Sequence, residues 1–346
     1  MTAQRTSTAP DAPGTEVSGV VLVDKPAGWT SHDVVGRTRR LAGTRKVGHA
    51  GTLDPMATGL LVVGLNKATR LLTAITGTDK VYEATIRLGV STVTDDAEGD
   101  VVATRLANAV TPERVLEQIA ALTGEIQQVP SSVSAIKVAG KRAYDRVRAG
   151  EDVALAARPV RVHAFEMLDY RRGEDGRVVD VDVRVECSSG TYIRALARDL
   201  GEALDTGGHL TMLRRTRVGP FDVADAVSMD ALAESFTLTE LSEAAASLFP
   251  VREVSEEEAV ELSFGRGIAP SASTGEPEAA DSSSPDAVAT ASSGEAPLYA
   301  ARRPDGVVVA LISDVVRRGR TLAKPQLVFA AAEASAQTSA TKESTA

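Results

Sequence analysis

The run GVVLVDK, residues 19–25, is apolar on both alternating faces and predicts a short buried strand. It leads into Pro26-Ala27-Gly28, where proline and glycine supply the dihedrals of a turn. Thr30 or Ser31 then caps a predicted helix reaching about Leu41, with Val34, Val35, Thr38 and Leu41 on one face and Arg37, Arg39 and Arg40 on the other. Gly43 ends it, and Arg45 and Lys46 extend the basic cluster. Residues 48–59 hold three glycines and a proline and predict a loop; residues 60–65 predict a buried strand after it. Within that loop Asp54 precedes Pro55, which disfavours helical dihedrals at the aspartate.

Farther along, residues 81–88 alternate, with Tyr82, Ala84, Ile86 and Leu88 on one face of a predicted strand. Residues 111–123 predict a helix opened by Thr-Pro-Glu. The stretch 131–158 is weakly periodic and basic, with Lys137, Lys141, Arg142, Arg146, Arg148 and Arg158, and predicts a helix and loop able to order on a polyanion. Strict alternation over 178–187 predicts a strand, 190–201 a turn and helix, and Arg214, Arg215 and Arg217 fall in the next strand. Residues 270–297 are rich in Ser, Ala, Pro and acids and predict disorder, with strand signals returning at 296–301 and 307–312.

At 346 residues and 43% hydrophobic, the chain can bury one sizeable core and a smaller partner domain. No apolar run approaches the roughly 20 residues of a membrane helix, and residues 1–17 form a loose tail, so a cytoplasmic protein without membrane partners is expected. Cys187 has no second cysteine to pair with, and with His32, His49, His163 and His209 it gives no metal-ligand spacing; a buried small residue is the expectation. The net charge of −9 would disfavour a polyanionic partner if it were evenly spread. It is not: residues 222–300 carry 16 acids against Arg252 and Arg266, whereas residues 1–221 hold 29 basic and 27 acidic side chains. The basic clusters 37–46, 137–148 and 214–217 are therefore candidate phosphate contacts.

The segment Gly48-His49-Ala50-Gly51-Thr52-Leu53-Asp54-Pro55-Met56-Ala57-Thr58-Gly59 resembles the catalytic signature of the TruB pseudouridine synthases over its full length. Four further stretches match that family in order: GVVLVDKPAGWTS, KVYEATIRLG, CSSGTYIRALARDLG, and Gly208-His209-Leu210 through Leu213-Arg214-Arg215. The resemblance spans roughly residues 18–225 and implies an α+β pseudouridine synthase fold with a mixed, mostly antiparallel central sheet. It implies a catalytic domain over 18–245, with 131–158 as an insertion that clamps RNA. A weaker likeness over 246–330 implies a small PUA-like β-barrel that binds RNA, interrupted by the acidic 270–297 segment and followed by a low-complexity tail, 331–346.

By the same resemblance the reaction is isomerisation of uridine-55 in the T loop of tRNA, without metal or other cofactor. Such chemistry needs a carboxylate beside sugar and base, a proton acceptor, and a pocket that shields detached uracil. The resemblance makes Asp54 that carboxylate, Arg194 its ion-pair partner, and Tyr82 the aromatic that stacks on the base and accepts a proton. It makes His49 the side chain that contacts the space left by the flipped base, Tyr192 and Leu213 the lining of the uracil pocket, and Lys25 a support for the Asp54 loop or a phosphate contact. A monomer acting on the T arm without an obligatory protein partner is implied. Two alternatives stay open: a related synthase acting on another RNA, and a tRNA-folding chaperone in which catalysis is secondary. Whether Asp54 attacks C1′ or C6 also stays open.

Overall fold

The computed structural model describes residues 17–131, 137–138, 141–142, 155–270, 296–317 and 319–329. Residues 1–16 and 331–346 of the expected tails, most of the expected 131–158 segment and nearly all of 270–297 lie outside these residues. Two compact units emerge, Met1–Glu240 and Leu241–Ala346.

The first unit opens with β1 (Gly19–Lys25), α1 (Ser31–Ala42), β2 (Val47–His49), β3 (Thr58–Leu65), α2 (Leu72–Gly77) and β4 (Lys80–Leu88). Next come β5 (Val90–Thr92), β6 (Val101–Thr104), α3 (Pro112–Ala121), β7 (Gly124–Gln128), and the short pair β8 (Lys137–Val138) and β9 (Lys141–Arg142). It closes with β10 (Arg158–Arg172), β11 (Val179–Cys187), α4 (Ile193–Ala203), β12 (Gly208–Val218), β13 (Phe221–Asp222), α5 (Met229–Glu234) and β14 (Thr239–Glu240).

The main sheet runs β14-β1-β3-β12-β4-β11-β10-β7, with β2 added to β3 and β13 to β12. Its described pairings are antiparallel except for a short parallel contact, where Thr58 and Gly59 of β3 meet Arg214 and Arg215 of β12. That contact demands a glycine. Gly59 sits at φ +98°, and a methyl there would lie 2.8 Å from the Arg215 backbone nitrogen and closer still to its carbonyl oxygen.

β1 and β3 are apolar on both faces because both are covered, in part by Val34 and Val35 of α1 and Met229 and Leu232 of α5. β4 and β11 instead alternate: Tyr82, Ala84, Ile86 and Leu88 join Val179, Val181, Val183 and Val185 beneath Val115 and Ile119 of α3 and Leu196 and Leu200 of α4. Each such buried side chain contributes about 1.5–3 kcal/mol. Outside, Arg87 pairs with Asp180, and Asp182 accepts from Thr85 and Arg171.

The expected loop 48–59 is shorter than its glycines suggest, since β2 pairs with β3 and places His49 opposite Val63. Within the stretch expected as a helix and loop, 137–138 and 141–142 are described and pair as two short antiparallel strands.

In the second unit, α6 (Leu241–Leu248), β15 (Val251–Glu253) and α7 (Glu256–Ser263) precede β16 (Tyr299–Arg302), β17 (Val308–Arg317) and β18 (Arg320–Val328). The strands form an open sheet, β15-β16-β17-β18, with one isolated bridge from Ile268 to Ala323. Among the described residues no pairing joins β15 to β18, so the small β unit is a four-stranded sheet and the expected closure into a barrel is not found.

Candidate active site

The loop carrying Asp54 is pinned on both sides of the aspartate. Thr30 caps α1 in a reciprocal box with Asp33, which places Ser31 at the first helical position, almost fully buried. Its Oγ donates to the Leu53 carbonyl at 3.1 Å and accepts from the Leu53 amide at 2.9 Å. On the far side, Gly28 N–H donates to the Pro55 carbonyl at 2.8 Å. Lys25, fully buried, donates to the carbonyls of Pro26 (2.9 Å), Trp29 (2.6 Å) and Pro55 (3.2 Å). Burial pushes its pKa down to about 8. With its ammonium on three carbonyls, Lys25 lies under the loop and not on the cavity wall.

Across from the loop, β11 ends and the turn 188–192 enters α4. The Gln128 side chain acts there as a strand partner, donating to the Tyr192 carbonyl (3.1 Å) and accepting from its amide (2.8 Å). Arg194 then follows in the first turn, 6% exposed, with Nε 3.0 Å from Asp54 Oδ2. Its Nη1 donates to the Thr94 carbonyl at 2.8 Å and lies 3.4 Å from Oδ2 of Asp96, a buried carboxylate that also accepts the Glu98 amide at 3.0 Å. One guanidinium thus bridges two carboxylates. Sequence reasoning missed Asp96, and nothing in the TVTDDAEGD stretch distinguishes it from an ordinary acidic turn.

Between these walls lies a cavity of about 350 Å³. Asp54, Tyr82, Tyr192, Arg194 and Leu213 all line it, so five of the expected site residues converge from a loop, two strands and a helix start. His49 does not line it: the ring stands edge-on to His32 with centroids 5.8 Å apart, and its buried Nδ1 has no partner among the described residues. Lys80, Arg158 and Arg215 also line the cavity.

The electrostatics oppose one another at Asp54. Burial pushes its carboxyl above the usual range, with Asp96 adding to the push, while Arg194 and Lys25 act against it. The side chain is still 36% accessible, which leaves it open to a molecule in the cavity. Burial also raises the Tyr82 phenol and lowers the His49 imidazole; Arg215, opposite Tyr82 on the neighbouring strand, counters the rise. Cys187 is fully buried, its thiol pushed up to about 12 by that burial, as a packing residue should be.

The candidate phosphate contacts fare unevenly. Arg214 makes a two-pronged pair with Asp24 (3.0 and 2.8 Å), Arg217 pairs with Glu186, and Arg215 is 1% exposed with its donors on the carbonyls of Leu60 and Gly51. Within 214–217 only Arg215 is buried, while the half-buried Arg214 and Arg217 are each paired with an acid of the same sheet. In 37–46, Arg39, Arg40, Arg45 and Lys46 remain exposed. The side chains of 137–148 lie outside the described residues.

Residues 39–193 match the model described as TruB family pseudouridylate synthase (N terminal domain), and residues 194–254 the tRNA pseudouridylate synthase B C-terminal domain. A tRNA pseudouridine synthase B of Arthrobacter sp. (strain FB24) is 63% identical over 314 residues, 91% of this chain and 97% of that protein. One of Mycobacterium sp. (strain KMS) is 55% identical over 305 residues, covering 88% and 95%. Among solved structures, a Cbf5-Nop10-Gar1 complex matches with TM-score 0.64 and 22% identity over 96% of this chain and 95% of that one, a likeness of fold.

Proposed function

The chain belongs to the TruB family of tRNA pseudouridine synthases, and we propose that it converts uridine-55 in the T loop of tRNA, with Asp54 as nucleophile and Tyr82 and Arg194 as its catalytic partners. The observation that carries this reading is the Asp54 carboxylate, open to a cavity and held 3.0 Å from a buried guanidinium. The isomerisation breaks C1′–N1, turns the uracil and forms C1′–C5, with the C5 proton moving to N1 or solvent. Electrons and atoms balance without an external oxidant or reductant, so no cofactor is called for.

Each wall of the cavity has a part in that sequence. Arg194 orients Asp54 and favours its ionised form against burial. Tyr82 stacks on the base and takes a proton from C2′ of the sugar as C1′–N1 breaks, giving it back to C2′ when C1′–C5 forms; Tyr192 and Leu213 enclose the detached uracil. Entry requires the uridine to flip from its stack, and His49, just outside the cavity, contacts the space left in the RNA. Lys25 keeps the Asp54 loop in place from below. The exposed 37–46 cluster meets the backbone of the T arm. No helix among the described residues is long and apolar enough to cross a membrane; a cytoplasmic monomer working without a protein partner completes the reading.

The test is a purified tRNA transcript incubated with the protein alone and mapped nucleotide by nucleotide. Pseudouridine at position 55 is expected; product at another position, or none, would overturn the assignment.

A further inference from the structure

Four cationic side chains, Lys80, Arg158, Arg194 and Arg215, line the cavity alongside a single carboxylate, Asp54. Three of them are committed within the protein. Lys80 Nζ donates to the carbonyls of Thr76 and Thr78, Arg194 spans Asp54, Asp96 and the Thr94 carbonyl, and Arg215 holds the carbonyls of Leu60 and Gly51.

Arg158 differs. It is half-buried at the start of β10, where the wall of the cavity meets solvent. Its Nη2 donates to the Gly190 carbonyl and its guanidinium carbon lies 4.8 Å from the centre of the Tyr192 ring. Those two contacts fix the plane of the group without neutralising it. No carboxylate among the described residues forms an ion pair with it, and its covered Nε has no acceptor. A covered N–H without an acceptor is costly, and a planar fork of N–H donors matches two oxygens of one phosphate.

An everted nucleotide whose base lies against Tyr192 carries its own backbone phosphates to the edge of the cavity. We propose that Arg158 is a phosphate-binding residue that grips a phosphodiester flanking the flipped uridine. This rests on the functional reading above and adds to it the anchor that holds the nucleotide in the everted position. The three committed cations have their donors placed elsewhere, so the anchor falls to Arg158.

The experiment measures equilibrium binding of a T-arm RNA hairpin across a range of salt concentrations. Arg158→Gln is expected to raise Kd about tenfold, the scale of one charge-assisted contact, and to flatten the slope of log Kd against log salt by roughly 0.7–0.9, one phosphate's worth. Arg158→Lys keeps the charge and is expected to keep the slope. Unchanged binding in Arg158→Gln overturns the proposal, as does weaker binding with an unchanged slope, which would mark a packing role against Tyr192. A second arm leaves the protein intact: neutral methylphosphonates replace, one at a time, the two phosphates flanking the target uridine. One of them is expected to cost wild type the same tenfold and to cost Arg158→Gln nothing more; full affinity with both overturns the proposal. Wild-type turnover on the unsubstituted hairpin scores the functional reading separately, since absence of pseudouridine there sinks that reading whatever the salt slopes show.

Discussion

Gly59→Ala tests whether the parallel contact between β3 and β12 organises the site. The added methyl would meet the Arg215 backbone, 2.8 Å from its nitrogen and nearer still to its oxygen, and neither atom is the end of a flexible side chain. The strands must part. Holding alanine at φ +98° adds strain of about 1–3 kcal/mol. Shifting Arg215 then endangers its bonds to the carbonyls of Leu60 and Gly51, each worth about 1.5–3 kcal/mol for a charged donor. Gly28→Ala is the control, with φ +81° but nothing within 4 Å of the methyl, so strain alone acts. We expect a loss of roughly 4 kcal/mol for Gly59→Ala against about 1–2 for Gly28→Ala. Urea unfolding reads the difference, provided the m-value is unchanged. Because Arg215 faces Tyr82 across the strands, Gly59→Ala should also slow turnover at 25 °C under conditions where it stays folded. Equal losses for the two variants, with turnover intact, would refute the reasoning.

Other expectations follow from the same geometry. Since burial raises the Asp54 carboxyl and the reaction needs it ionised, the acid limb of kcat/KM should lie above the ordinary carboxylate value of about 3.9. Arg194→Gln removes the opposing guanidinium and should move that limb higher; a pH–rate profile showing a downward shift contradicts this. Lys25→Met takes three bonds from beneath the loop and should lower kcat at least tenfold with little change in KM, by the scale of a misplaced catalytic group. An effect on KM alone in steady-state assays would return Lys25 to the substrate. Lys80 has a pKa of about 8 when folded against 10.5 for an unperturbed lysine, so between those values the unfolded chain binds the extra proton and stability rises with pH. Wild type should gain about 3 kcal/mol on Lys80→Met across that window in denaturant titrations, and a flat difference would show that the ammonium is not desolvated.

Strands whose alternation is sustained were legible: β11 keeps period two from end to end and β4 from Tyr82 onward, and their apolar faces are the ones buried. β10 was not, because register shifts between Val162 and Ala164 and between Met167 and Asp169 break its alternation twice. The closeness of β3 to β12 was equally hidden. Gly59 looks like any loop glycine until the partner strand, more than 150 residues later, is in place. Asp54, Tyr82 and Arg194 were found through motif likeness, and their convergence depends on the strand order β3-β12-β4-β11, which no local pattern encodes. The same is true of the supports: Ser31 read as a helix cap, but its grip on Leu53 is a tertiary contact, and Gln128 and Asp96 carry no local signal at all. The pairing of Arg214 with Asp24 and of Arg217 with Glu186 was equally hidden, since each acid comes from a distant part of the chain.

Asp54→Asn tests the role of the carboxylate most directly, because it replaces one oxygen by an NH2 group of similar size at the wall of the cavity. Binding of unmodified tRNA and pseudouridine formation would be measured side by side on the variant and the wild type. Binding within a few-fold of wild type and no pseudouridine at position 55 are expected; formation at the normal rate would show that Asp54 is not the catalytic carboxylate.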